Sequence, residues 1–129
     1  MIAVDTSALM AILLGEPDER QLRAKLETSN RPLISAGTIL ELQIVTAGKR
    51  VARAWRDVEI LLEGYRVVIH PFDERQLRIA REAAVTYGKG RHKAGLNFGD
   101  CFAYALAKSE ALPLLCTGND FIHTDLKLA

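Results

Sequence analysis

With 129 residues, 17 basic and 16 acidic side chains and a formal net charge of +1, the chain fits one domain over residues 1–129 that can bury a sizeable core. The near balance of charge excludes recognition by bulk charge alone. No stretch approaches the roughly 18 apolar residues of a membrane span. Cys101 and Cys116 stand in apolar surroundings, which suits buried free thiols better than a disulfide or a zinc site. The opening apolar run is broken by Asp5 and has no basic lead-in. It lacks the form of a signal peptide, and the cytoplasm is the expected compartment.

In chain order, Ile2 to Val4 is an apolar run without alternation, as in a strand covered on both faces. It ends in Asp5-Thr6-Ser7, and a helix is predicted from about Ala8 to Leu14 before the stop at Gly15-Glu16-Pro17. Asp18 is the predicted cap of a second helix with Leu22 and Leu26 inward. Residues 31–35 read as a second strand, and Ser35 or Thr38 as the opening of a helix that runs to about Ala47. Val51 to Glu63 has apolar residues at three and four. Arg66 to His70 is a third strand, and Asp73 caps a helix predicted to bury Leu77, Ala80, Ala84 and Tyr87. Asn97 caps a helix over Phe98 to Ser109, and Leu112 to Thr117 is a fourth strand. A brief fifth is expected near Phe121 or Leu126. Strands alternating with helices imply a three-layer α/β/α domain around a mainly parallel sheet of four to five strands.

Two kinds of side chain stand out on this frame. The loop from Tyr87 to Gly95 carries Lys89, Arg91, His92 and Lys93 with no acid and three glycines. It is either a solvated surface loop or a phosphate contact. The acids are more specific in combination than singly. Asp5 follows a strand end, where chemistry collects in open α/β sheets, but could merely cap a helix. Glu41 lies in the most apolar predicted helix, where an unpaired carboxylate is costly. Asp100 precedes Ala103, Tyr104 and Ala107 on one helical face, yet also suits a helix first turn. Asp120 follows the fourth strand in a Gly-Asn-Asp turn, with Asp125 as reserve. Four carboxylates brought to one sheet edge cannot all ionise without a cation between them. Oxygen-only ligands favour Mg²⁺, with Mn²⁺ as the alternative, and the chemistry that fits is phosphodiester hydrolysis.

Over its whole length the chain resembles the PIN-domain ribonuclease toxins of VapC type. The resemblance rests on Val4-Asp5-Thr6-Ser7-Ala8-Leu9, on Glu41 in an apolar helix, on the long run from Tyr87 through Gly99-Asp100-Cys101-Phe102, and on Thr117-Gly118-Asn119-Asp120-Phe121 with His123-Thr124-Asp125 beyond. It implies a Mg²⁺-dependent endoribonuclease that inhibits translation and growth. The implied toxin is a homodimer and forms a larger complex with a cognate VapB-type antitoxin. Asp5, Glu41 and Asp100 map onto the family's acidic triad and Asp120 onto the fourth acid. Thr6, Ser7, Thr117 and Asn119 are the expected polar supports behind the acids. Lys89, Arg91, His92 and Lys93 are the expected RNA contacts, and residues 36–62 the expected dimer surface. Two rivals make different forecasts. A non-catalytic module that blocks translation by occupying RNA would bind without cutting. A phosphatase using Asp5 as nucleophile would want a second aspartate two residues on, where Ser7 stands.

Overall fold

Ala3 and Val4 form β1, and both are fully buried because the strand lies inside the sheet with a neighbour on each side. The computed structural model describes residues 1–48 and 53–129. β2 (Leu33–Ser35) and β4 (Leu114–Leu115) flank β1, and β3 (Val68–His70) pairs with β2, giving the order β3-β2-β1-β4 with every pair parallel. Val4 sits opposite both Ile34 and Leu115. One residue further on, Asp5, Ser35 and Cys116 therefore leave the same carboxyl edge.

The helices are α1 (Thr6–Leu13), α2 (Glu19–Thr28), α3 (Ala36–Gly48), α4 (Ala54–Gly64), α5 (Glu74–Tyr87) and α6 (Phe98–Ser109). Alternate strand residues feed two apolar clusters, as the pleat requires. Val4, Ile34 and Leu115 pack with Leu9, Leu26, Leu42 and Val58 from α1 to α4. Ala3, Leu33 and Leu114 pack with Ala83, Ala103, Tyr104 and Leu106 from α5 and α6. The result is the expected three-layer α/β/α domain. No helix among the described residues is long and apolar enough to cross a membrane.

Several local expectations are corrected. α1 begins at Thr6, with Asp5 itself as its cap. Asp18 occupies a cap position but makes no side-chain cap bond. Ser35 opens α3, its Oγ accepting from the Gly37 N–H at 3.2 Å. The predicted start of the fourth helix at Val51 lies outside the described residues. In α5 the buried stripe is Gln76, Ala80 and Ala83, while Leu77 is 45% exposed and Ala84 is also at the surface. Leu77 and Ala84 line a groove of about 510 Å³ against α6 with Phe72, Phe98 and Phe102. Helical periodicity alone could not tell a groove-facing stripe from a core-facing one. Beyond β4 there is no fifth strand among the described residues. A 3₁₀ turn (Phe121–His123) and one isolated bridge from Leu114 to Leu128 occupy that tail.

The basic loop is closed at its base by a bridge between Gly88 and Leu96, with backbone bonds from Lys89 N–H to the Leu96 carbonyl (3.0 Å) and from Leu96 N–H to the Tyr87 carbonyl (2.9 Å). Only Gly90 and Gly95 of its glycines use positive φ. Gly88 is required for another reason: a Cβ there would lie 2.1 Å from the Ala84 carbonyl oxygen. Gly88→Ala must move backbone at the end of α5, and a loss of about 1–3 kcal/mol is expected in urea unfolding.

Candidate active site

Asp5 is 3% exposed, and its two oxygens stand in different surroundings. Its Oδ2 accepts from the Ser7 N–H (3.0 Å) and the Ser7 hydroxyl (2.6 Å), which is the cap of α1. Ser7 Oγ in turn accepts from the Thr117 N–H at 3.0 Å, so the exit of β4 is tied to the exit of β1. The other oxygen, Oδ1, is buried with no hydrogen-bond partner. The cap uses one oxygen of Asp5 and leaves the other unengaged.

Asp100 stands in the first turn of α6, 8% exposed. Asn97 Oδ1 accepts from the Asp100 N–H (2.9 Å) while Asp100 Oδ2 accepts from the Asn97 N–H (3.0 Å), a reciprocal capping box. Glu41 reaches across from α3. Its Oε1 accepts from the Thr6 hydroxyl, and its Oε2 lies against Gly99, next to Asp100. The three acids of the expected triad are thus gathered at the carboxyl edge of the sheet, each with one oxygen tethered to a neighbour.

Burial pushes the Asp5 carboxyl up to about 6, against the Ser7 hydrogen bonds, and the Glu41 charge pushes the same way. Burial likewise raises Asp100 to about 7, with the charges of Asp5, Asp120 and Glu41 adding to it. Crowded, desolvated carboxylates of this kind favour neutralisation, by protons or by a cation. Among the described residues no three His, Cys, Asp or Glu side chains stand, as placed, in an arrangement that could hold a metal ion. The donor chemistry nonetheless fits a hard divalent cation. It is all oxygen, one ligand atom is buried and orphaned, and the negative charge is uncompensated.

The fourth acid separates into two cases. Asp120 is exposed on the turn after β4, yet close enough for its charge to raise Asp100. Asp125 is engaged elsewhere: its Oδ1 accepts from the Tyr104 hydroxyl (2.6 Å) and its Oδ2 from Lys108 Nζ (2.5 Å), stapling the tail to α6. Asp125→Asn should therefore lower the free energy of unfolding slightly, by roughly 0.5–1 kcal/mol for a mostly exposed pair. Any activity of the acid pocket should survive that change, which a cleavage assay on the same sample would check.

The remaining predicted residues are distributed as follows. Thr6 and Ser7 contact the acids directly, and Thr117 acts through its backbone N–H. Asn119 is exposed on the turn. Lys89, Arg91 and Lys93 are exposed on the closed loop, whereas His92 is half-buried. The His92 ring sits edge-on to Tyr87 at 5.1 Å, and its Nδ1 accepts from the Ala94 N–H at 3.0 Å, which leaves Nε2 as the protonated nitrogen of the neutral ring. Cys101 and Cys116 are free, and burial, followed by the nearby Asp5 charge, pushes the Cys116 thiol up to about 12. Two contributors escaped the sequence reading: Gly37, where a Cβ would lie 2.2 Å from the Phe102 ring, and Gly99 beside Glu41. The only signal for them was a glycine inside a helical first turn.

Residues 2–127 match the PIN domain model. The chain is 42% identical over 125 residues to the VapC ribonuclease Mb0640 of Mycobacterium bovis, covering 97% of this chain and 95% of that protein. This chain belongs to the VapC ribonuclease family of PIN domains. A second VapC relative, ribonuclease VapC28 of Mycobacterium tuberculosis, is 43% identical over 127 residues, covering 98% and 96%. Solved VapC structures share the fold at low identity. VapC20 of Mycobacterium tuberculosis, described as a sarcin-ricin loop cleaving toxin, superposes at TM-score 0.76 with 16% identity over 100% of this chain and 98% of that one. VapBC2 of Rickettsia felis, bound to a DNA fragment from its promoter, gives 0.77 with 21% identity and the same coverage.

Proposed function

We propose that this VapC-family chain is a Mg²⁺-dependent endoribonuclease, with Mn²⁺ as the alternative ion, and the toxin of a type II toxin–antitoxin pair that stops translation and growth by cutting RNA. The observation that supports the reading is the buried, unpartnered Asp5 Oδ1 in a carboxyl close enough to Glu41 and Asp100 for their charges to act on one another. Asp5, Glu41, Asp100 and Asp120 would hold the ion. When bound, such an ion lowers the pKa of a water and offsets charge on a phosphate.

The chain's own residues supply the rest. Ser7 and the Asn97 N–H fix one oxygen each of Asp5 and Asp100, so the free oxygens keep a set direction. Thr6 does the same for Glu41. Thr117 ties the exit of β4 to Ser7 through its backbone N–H, and Asn119 would support Asp120 from the same turn. Lys89, Arg91 and Lys93, with His92 Nε2, would bind the flanking phosphates of the RNA. Exposed Leu40 and Ile44 follow Gly37 at helical spacing on α3, and Gly37 itself meets Phe102, whose ring packs on the 83% exposed Phe98. This apolar surface suits a homodimer, and the neighbouring groove suits an apolar antitoxin segment. The setting is the cytoplasm, where mRNA, tRNA and ribosomes are found.

The test is incubation of purified, antitoxin-free protein with cellular RNA and Mg²⁺, with and without chelator. Defined cleavage products that vanish with chelator are expected. RNA binding that persists in chelator with no product in either condition would instead favour an occupancy mechanism.

A further inference from the structure

We propose that Gly99 is a positioning residue: its missing side chain leaves the space through which the Glu41 carboxylate reaches the pocket of Asp5 and Asp100. The inference rests on the reading of Glu41 as a metal ligand. Gly99 lies in the first turn of α6, outside the positive-φ region, so the backbone does not demand glycine there. Glycine in a helix is about 1 kcal/mol worse than alanine, and α6 otherwise uses alanine freely at 103, 105 and 107. Something other than the helix favours it.

The Glu41 carboxylate fills the vacant volume. A Cβ at position 99 would fall 1.5 Å from Oε2, 2.2 Å from Cδ and 2.8 Å from Oε1. The carboxylate is pinched between this point and the Thr6 hydroxyl that holds Oε1. It also lies beside the positive end of α6, a favourable place for an anion. Gly37 completes the arrangement from the other helix, since its bare Cα lets α3 approach the Phe102 ring of α6. Gly37 sets the helix separation, and Gly99 sets where the acid can go.

Because the obstructed atoms are the tip of a flexible side chain, Gly99→Ala can be accommodated by turning Glu41 away. The fold and the site should respond with opposite signs. Isothermal titration of the full chain with Mn²⁺ tests this. Gly99→Ala should weaken Mn²⁺ binding about tenfold or more, with a thermal midpoint equal to or above wild type. On a Glu41→Gln background the same change should alter affinity by less than about twofold. Glu41→Asp, which withdraws the carboxylate by one methylene, should likewise be insensitive to Gly99→Ala. Wild-type affinity in Gly99→Ala, an equal loss on all backgrounds, or a lowered midpoint would each overturn the proposal. If Glu41→Gln binds Mn²⁺ as wild type does, the ligand role of Glu41 fails as well. If Glu41→Gln is weak while Gly99→Ala is normal, only the positioning role is lost.

Discussion

Asp100→Asn is expected to reduce metal-dependent RNA cleavage by on the order of a hundred- to a thousandfold, while making the metal-free protein harder to unfold at neutral pH. The first effect follows from removing an anionic ligand while keeping the capping box, because an asparagine oxygen can still accept from the Asn97 N–H. The second follows from linkage. Asp100 rises from 3.8 to about 7 and Asp5 from 3.8 to about 6, so the folded chain holds protons that the unfolded chain has released. Their stabilising contribution is complete below about pH 3.8 and is lost as pH rises through 6 to 7. Each pKa unit corresponds to roughly 1.4 kcal/mol, and solvent screening at Asp100 reduces its share to roughly 1–2 kcal/mol. Thermal scans at pH 5 and 8 would check this. Wild type should lose stability between them, Asp100→Asn should lose less, and the variant should melt roughly 3–8 °C higher at pH 8. A lower midpoint for the variant at pH 8 would mean that the carboxylate is satisfied by something other than a cation.

Leu42→Ala is expected to have the largest effect on the fold itself. Leu42 is fully buried against the cluster that includes Leu9, Ile34 and Val58, immediately after Glu41 in the chain. Truncating it leaves a cavity worth about 2–5 kcal/mol, or a midpoint lowered by roughly 8–15 °C in a domain of this size. Well below the new midpoint, the acids and their tethers are unchanged, and cleavage should persist. An unaltered midpoint would contradict the packing of α3 on the sheet.

That three acids would meet at one sheet edge was legible because each broke a local rule: a carboxylate ending an apolar strand, another in an apolar helix, a third on a buried helical face, with the resemblance naming them together. Asn97 as a cap was legible from the residue type and the helix after it. What sequence could not supply was direction. The stripe of α5 looked core-facing at Leu77 and Ala84, and only tertiary packing shows that these line the groove with Phe98 and Phe102. Asp125 stood in reserve behind Asp120, and what removes it from the pocket is the Tyr104 and Lys108 side chains reaching it. Gly37 and Gly99 gave no more than a glycine in a helical first turn, because a glycine's role there is the space it leaves, which has no further pattern along the chain.

The strand order also bears on when the site can exist. β1 pairs with β4, and Asp5 is fixed through its backbone N–H to the Leu115 carbonyl (3.0 Å) and through Ser7 to Thr117. The first acid of the pocket therefore waits for partners encoded more than a hundred residues later. A nascent chain that has emerged as far as α6 holds Asp5, Glu41 and Asp100 covalently but lacks the segment that braces the first of them. Long-range closure of this kind is slow and comes late, so assembly of the acidic pocket waits on the synthesis and docking of β4.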